Sequence, residues 1–221
     1  MKIIDIINGE KPSLSFEVFP PKTSDNFESV KEATEEIALL APSYMSVTYG
    51  AGGGTSQYTV SIAENLQNNF SVPSLAHLSC VSSTKDEIKS QLDLLRRKGI
   101  ENILALRGDI VEGKVPTDFK FAKELIPLLK ERNLRVGAAC YPEGHVTCEN
   151  LDDDIRYLKE KEDAGADFFI SQLFFDNDSY YRFLERADKQ GITKPIHAGI
   201  MPISSKSQIM RMIFMCGASL P

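Results

Sequence analysis

Short apolar runs rich in β-branched residues alternate with longer amphipathic stretches along most of the chain. This alternation is typical of βα units repeated around a parallel sheet. The stretches between the runs carry apolar residues at helical spacing, as at Ile88, Leu92 and Leu95, which predicts helices. The runs predicted to be strands are Leu14–Phe19, Met45–Tyr49, Ser74–Cys80, Asn102–Arg107, Arg135–Cys140, Phe168–Leu173 and Ile196–Gly199.

Local signals mark where some of these helices begin and end. Thr84 followed by Glu87 resembles a capping box, and Lys98-Gly99 combines a basic last turn with a glycine stop. The order helix, glycine, next strand recurs along the chain, and its repetition favours a closed barrel over an open sheet. We therefore predict an α/β fold, a (β/α)8 barrel of the TIM type.

A barrel of this type has eight strands, whereas the sequence ends soon after a seventh helix-like stretch, Ser205–Met215. We therefore expect the eighth βα unit to be missing from this chain. We expect a C-terminal truncation, and a strand supplied by a partner is the alternative. Residues 1–221 are predicted to form a single catalytic barrel domain, because no low-complexity tract or Pro/Gly/Ser-rich linker marks a second one.

Composition narrows the function classes. The formal net charge is -6, from 25 Lys and Arg against 31 Asp and Glu, so we expect neither nucleic acid nor an anionic membrane as a partner. The four cysteines lie far apart, with no C-x-x-C motif, and are interpreted as free thiols in a reducing compartment. The N-terminus does not resemble a signal peptide, so a cytoplasmic location is expected.

In barrels of this kind the chemistry gathers at the carboxyl ends of the strands. Glu17 lies inside a predicted strand, where burial would raise the pKa of its carboxyl and suit it to act as a general acid. A solvent-facing position in an alternating strand is the other interpretation. The glycine-rich run Thr48–Thr55 lets backbone amides approach a phosphate or a flat ring, although it also suits a flexible loop without a ligand.

Further polar residues end the later strands. His77 ends the third, although a lone histidine is more often a core residue, and Arg107-Gly108-Asp109 ends the fourth, where the two charges can also pair with neighbours. Tyr141 follows the fifth strand. Gln172 carries an amide donor and a carbonyl acceptor, which together can recognise a heterocycle by hydrogen bonds. The acidic run at residues 152–154 is typical of a solvated helix face.

The motifs of common metal and acyl-transfer sites are absent. No H-E-x-x-H, Ser/His/Asp elbow or EF-hand spacing occurs, so no metal is expected. A barrel aldolase would place a Schiff-base lysine at a strand end, and none of the predicted strands ends in lysine. An organic cofactor fits the remaining polar groups better.

Six phrases together resemble the methylenetetrahydrofolate reductase family, and they occur in that family's order. The phrases are Ser15–Lys22, Ser46–Gly53, His77–Cys80, Leu106–Asp109, Tyr141–His145 and Gln172–Asp176. The resemblance implies an FAD-binding barrel that reduces 5,10-methylenetetrahydrofolate to 5-methyltetrahydrofolate by a ping-pong reaction, with NADH or NADPH as hydride donor. One site would serve both substrates.

The resemblance also implies residue roles. Glu17 would be the acid that protonates the leaving nitrogen of the folate's five-membered ring, and Asp109 the carboxylate beside the flavin. Gln172 and Gln208 would bind the folate, and Gln172 would also contact the nicotinamide. The residues implied to line the FAD site are Thr48, Tyr49, Ala51, His77, Arg107, Gly108, Asp109, Ala122, Tyr141, His145, Asp154 and Lys161.

The sequence departs from the family pattern in places. Met212 lies where a phenylalanine lid is usual, and Tyr157 and Glu160 lie where relatives often carry other polar groups. The family's eighth strand and its folate-reading arginine would lie beyond Pro221. A non-catalytic flavin- or folate-binding barrel that needs a partner subunit is therefore the alternative function, and a homo-oligomer or a partner subunit is expected. The choice between NADH and NADPH and the physiological direction stay open.

Overall fold

The computed structural model describes residues 1–21, 23–49, 56–110 and 118–220. Strands and helices alternate through these residues. The strands are β1 (Ser15–Val18), β2 (Tyr44–Val47), β3 (Ser74–Ser79), β4 (Asn102–Leu106), β5 (Arg135–Cys140), β6 (Phe168–Ser171) and β7 (Ile196–His197). The helices are α1 (Ile3–Ile7), α2 (Phe27–Ala38), α3 (Ser56–Asn69), α4 (Lys85–Arg97), α5 (Ala122–Lys130), α6 (Leu151–Asp163), α7 (Asn177–Lys189) and α8 (Lys206–Cys216).

The strands form a sheet in which spatial order follows chain order from β1 to β7. The pairs β1·β2, β2·β3, β3·β4 and β6·β7 are parallel, and Glu17 of β1 lies opposite Ser46 of β2. All seven predicted strands are confirmed, with ends that differ by at most two residues. The predicted fold class, a (β/α) barrel of the TIM type, is confirmed, and the described residues supply seven of its strands.

The chain divides into two compact units, Met1–Gly137 and Ala138–Pro221, and β5 crosses the division. A single domain over residues 1–221 and a C-terminal truncation stay predictions. None of the helices in the described ranges combines the length and the apolar character that crossing a bilayer requires.

In the first unit the core is built on β2 and β3. The side chains of Tyr44, Met45 and Val47 are fully buried, as a strand covered on both faces requires. The buried amide of Asn102, at the start of β4, ties down the N-terminus: its Oδ1 accepts from the Ile3 N–H at 3.0 Å, and its Nδ2 donates to the Met1 carbonyl at 3.1 Å. The short helix α1 is thereby attached to the amino end of the sheet.

In the second unit the fully buried Phe168 and Phe169 of β6 form the centre of the core. Glu162, near the end of α6, is a buried carboxylate that accepts from the backbone N–H groups of Thr193 at 3.0 Å and Lys194 at 3.2 Å. These bonds lower the pKa of Glu162 despite the burial that opposes its charge. Helix α6 is thus fastened to the segment that leads into β7.

Candidate functional site

Three polar side chains on neighbouring strands meet near the carboxyl ends of β1, β2 and β3. The Ser46 hydroxyl donates to Glu17 Oε2 at 3.2 Å and lies 2.7 Å from His77 Nε2. The same Glu17 oxygen is 3.6 Å from His77 Nε2. The parallel register brings these residues together, because Glu17 lies opposite Ser46 and His77 lies two residues beyond the partner of Ser46.

The side chain of His77 is more deeply buried than that of Glu17. The side chain of His77 is 7% exposed, whereas that of Glu17 is 44% exposed, so a ligand can reach the acid. The surrounding protein nevertheless raises the pKa of Glu17 above its ordinary value, and the Ser46 hydroxyl partly offsets this effect. Burial lowers the pKa of His77 to about 3, so its imidazole is neutral at physiological pH.

Arg107, Gly108 and Asp109 follow the end of β4, at the same edge of the sheet as Glu17. The Arg107 guanidinium is half-buried and donates from Nε to the Gly108 carbonyl at 3.2 Å. The side chain of Asp109 is exposed. Its carboxylate is therefore available to a ligand.

A small, open cleft lies beside Asp109. Gly108 forms part of its wall in the left-handed conformation, with φ +81°, and a Cβ there would lie 2.6 Å from Ser79 Cβ. Only glycine allows the turn after β4 to pass so close to the end of β3. The residues that line the cleft are Tyr49, Ser79, Val81, Ser82, Ser83, Gly108 and Asp109.

In the second unit four of the predicted FAD residues lie together after β5 and on α6. The rings of Tyr141 and His145 meet edge to face, with centroids 4.8 Å apart. Lys161 Nζ lies 5.5 Å from the centroid of the Tyr141 ring and donates to the Ala139 carbonyl at 2.7 Å. This arrangement places one cation against an aromatic surface.

Asp154 differs from the other acids of its run. Burial raises the pKa of its carboxyl, while Lys161 and the backbone N–H of His145 lower it. Asp153 instead pairs with Arg156 on the helix surface at 2.7 Å, and Asp152 is exposed. The solvated-face interpretation is therefore wrong for Asp154, which belongs to the group around Lys161.

The two predicted folate residues have different surroundings. Gln172, just after β6, is half-buried, and its Oε1 accepts from the Leu173 N–H at 2.9 Å, which orients the amide. Gln208 lies exposed in the first turn of α8, where its side chain accepts from the Ser204 hydroxyl. Their roles stay predictions.

The other predicted residues lie at the edges of these groups. Thr48 follows β2, and its N–H donates to the Val18 carbonyl at 3.0 Å. Ala122 is buried as the first residue of α5. Ala51 lies outside the described residues.

Sequence reasoning did not assign a role to Ser46. It lies between the apolar Met45 and Val47 in a fully buried strand, where a polar side chain requires a partner. Aligning β1 with β2 would have placed it opposite Glu17, but that register is not visible in either strand alone.

A family model described as "Methylenetetrahydrofolate reductase" matches residues 2–221. "Methylenetetrahydrofolate reductase (NADH) 1" of Arabidopsis thaliana is 35% identical over 242 residues, covering 100% of this chain and 41% of the plant protein. "5,10-Methylenetetrahydrofolate reductase" of Escherichia coli K12 is 35% identical over 210 residues, covering 95% of this chain and 71% of the bacterial protein. The chain thus spans about two fifths of the plant relative's length.

Solved structures support the fold. An uncharacterised protein from Clostridium thermocellum, described as binding two copies of 5-methyl-5,6,7,8-tetrahydrofolic acid, has a TM-score of 0.65 at 17% identity and covers 98% of this chain and 75% of its own. A 2,3-dimethylmalate lyase has a TM-score of 0.64 at 13% identity, covering 95% of this chain and 76% of its own. Because the family model matches nearly the whole chain and the Escherichia coli relative is 35% identical over most of its own length, this chain belongs to the methylenetetrahydrofolate reductase family.

Proposed function

We propose that the protein reduces 5,10-methylenetetrahydrofolate to 5-methyltetrahydrofolate, with bound FAD as cofactor and NADH or NADPH as hydride donor. Membership of the family supports the folate substrate. The name of the Arabidopsis relative specifies NADH, which favours that nucleotide. The observation that carries the proposal is a carboxyl with a raised pKa, Glu17, that remains accessible at the edge of the sheet shared with Asp109.

Each unit, taken by itself, carries residues that suit part of an FAD. Gly108 permits a close backbone approach, and Tyr49 and Asp109 line the cleft beside it. In the second unit, Lys161 supplies a cation suited to a diphosphate, and Tyr141 supplies a ring surface next to it. When bound, FAD would supply hydride chemistry between the nicotinamide and the folate.

Glu17 would perform the proton chemistry of the folate step. Its carboxyl proton moves to the leaving nitrogen of the five-membered ring, the bond from that nitrogen to the methylene carbon breaks, and the electron pair stays on the nitrogen. The methylene carbon is left as a cationic iminium, which hydride converts to the methyl group. The Asp109 carboxylate would stabilise that positive charge. Because one site serves both substrates, the oxidised nicotinamide leaves before the folate binds.

Two half-reactions test the proposal. The purified protein should be yellow, lose its colour under anaerobic NADH, and regain it when 5,10-methylenetetrahydrofolate is added. Glu17→Gln keeps the shape of the side chain but carries no acidic proton, so it should leave reduction by NADH intact and abolish reoxidation by the folate. A colourless protein without affinity for FAD contradicts the proposal. Loss of both half-reactions in the variant contradicts the role of Glu17.

A second candidate is a barrel that binds folate without turning it over. The Clostridium thermocellum protein, described by the folate that it binds, motivates this alternative. Binding of 5-methyltetrahydrofolate without flavin reoxidation by 5,10-methylenetetrahydrofolate would favour it. A homo-oligomer or a partner subunit and a cytoplasmic location stay predictions.

A further inference from the structure

We propose that Ser46 is a positioning residue that holds the Glu17 carboxyl through its hydroxyl, and that His77 behind it fixes the direction of that hydroxyl. The inference rests on the proposed function, since it names the support of the proposed acid. It starts from three side chains on three consecutive strands that contact one another in sequence.

The distances make Ser46 the connection between the other two residues. Glu17 Oε2 and His77 Nε2 are 3.6 Å apart, which is too long for a hydrogen bond. The Ser46 oxygen lies 3.2 Å from the first atom and 2.7 Å from the second, both within hydrogen-bond range. The histidine therefore acts on the acid through the serine.

The number of protons available sets the direction of the hydrogen bonds that link Glu17, Ser46 and His77. A neutral imidazole carries one N–H and one bare nitrogen, and a serine hydroxyl has a single proton to donate. When His77 Nε2 carries the proton, it donates to Ser46, and the only proton of Ser46 points at Glu17, which suits the carboxylate. When Nε2 is bare, it accepts from Ser46, and the serine oxygen accepts from a protonated Glu17. The three side chains can thus keep their hydrogen bonds whether Glu17 is ionised or protonated. An acid passes through both of these states in each turnover.

Burial makes the arrangement specific. Ser46 and His77 are both buried, so water does not readily replace either partner. Among the described residues, the ionisable groups that interact with Glu17 from the neighbouring strands are His77 on β3 and Tyr44 on β2. Burial raises the pKa of Tyr44 to about 12, so both groups are uncharged near neutral pH.

Paired substitutions separate the hydroxyl from the volume at position 46. Ser46→Thr and Ser46→Val have nearly the same shape, and only the first can donate to Glu17. At a pH where Glu17 is protonated, the valine variant should reoxidise its flavin with 5,10-methylenetetrahydrofolate roughly 10-fold or more slowly than the threonine variant, because a hydrogen bond to an ionisable group is lost. Reduction by NADH should be equal in the two.

A second readout does not depend on turnover. In protein labelled with ¹³C at the glutamate carboxyls, the signal that Glu17→Gln removes reports the titration of Glu17. Ser46→Val should raise the pKa of Glu17 relative to Ser46→Thr, because a donor to the charged form is lost. Ser74→Ala is the matched control: this buried serine at the amino end of β3 bonds Gln67 at 3.3 Å, and its loss should change neither the titration nor the folate step.

The outcomes distinguish the two proposals. Equal folate rates and equal Glu17 titrations in the threonine and valine variants would overturn the role of Ser46 even if the wild-type protein reduces folate. If the wild-type protein with FAD fails to reduce folate, the proposed function fails, and the titration alone then decides whether Ser46 holds Glu17.

Discussion

At the scale of single residues, burial acts on Glu17 and His77 in opposite directions for one physical reason. A low-dielectric environment disfavours the charged form of either group, so it raises the pKa of the carboxyl and lowers that of the imidazole. Because the His77 imidazole is neutral, the two side chains do not form an ion pair, and Ser46 bridges them through hydrogen bonds. A raised pKa lets the Glu17 carboxyl hold its proton to a higher pH than an ordinary glutamate, which suits a proton donor.

The neutral state of His77 predicts an acid-sensitive fold. Its pKa is about 3 in the folded protein and about 6.5 in an unfolded chain, so between these values the unfolded state binds more protons. The free energy of unfolding should therefore fall as the pH drops below about 6.5, by up to about 1.4 kcal/mol per pH unit from this residue. Urea unfolding between pH 7 and 5 measures the slope.

His77→Gln should flatten that slope, since glutamine does not titrate in this range. His197→Gln, at a half-exposed histidine of β7, is the comparison. An unchanged slope in His77→Gln would contradict the assignment of a buried neutral imidazole.

Gly108 makes a second prediction at this scale. Gly108→Ala should destabilise the fold by about 2 kcal/mol or more, because a left-handed conformation costs other residues about 1–2 kcal/mol and the new Cβ would meet Ser79. In a Ser79→Gly background the substitution should cost less, since the collision is removed while the backbone strain remains. A double-mutant cycle of unfolding free energies measures the difference, and perfect additivity would refute the predicted collision.

At the scale of elements, helix α4 illustrates a local signal that holds. Thr84 accepts from the Glu87 N–H at 3.2 Å, and Glu87 accepts from the Thr84 N–H at 2.7 Å, so the predicted capping box is confirmed. Thr84→Ala should lower the free energy of unfolding by about 1 kcal/mol. Thr84→Ser should lower it much less, because serine keeps the capping hydroxyl. Thermal or urea unfolding of the two variants checks this, and equal losses would mean that the hydroxyl does not cap the helix.

The alternation of elements was predictable because each strand and helix carries its own pattern. Apolar runs such as Asn102–Leu106 and the glycine stop at Gly99 specify where a strand or helix lies without reference to the rest of the chain. The strand ends were also predictable, and with them the edge of the sheet that carries Glu17 and Asp109.

Contacts between distant segments were not predictable. The hydrogen bond between Ser46 and Glu17 depends on the β1·β2 register. The hydrogen bond between Asn102 and Ile3 joins residues that are 99 positions apart. In the second unit Glu143 accepts from the Ser219 N–H at 3.0 Å, a contact that no periodicity indicates. Such pairs are set by how elements pack, and a single sequence records only the residues that take part.

At the scale of the whole molecule, net charge gives no general attraction for the proposed substrates. The chain carries a formal charge of -6, and nicotinamide nucleotides and folates are themselves anionic. Under the proposed function, local cations in each unit, Arg107 in the first and Lys161 in the second, would supply the attraction. This fits a site that recognises its ligands at close range.

The proposed catalytic cycle gives the last prediction, because only one of its two half-reactions would use the acid. Reoxidation of the flavin by the folate needs protonated Glu17, so its rate should be highest at low pH and fall about tenfold per pH unit above the pKa of that carboxyl. Since this pKa is raised, the fall should begin at a higher pH than for an ordinary glutamate. Reduction by NADH transfers hydride without that proton and should not show the fall. Anaerobic stopped-flow measurement of each half-reaction across pH tests this directly, and a folate step that is flat or rises with pH would mean that another group supplies the proton.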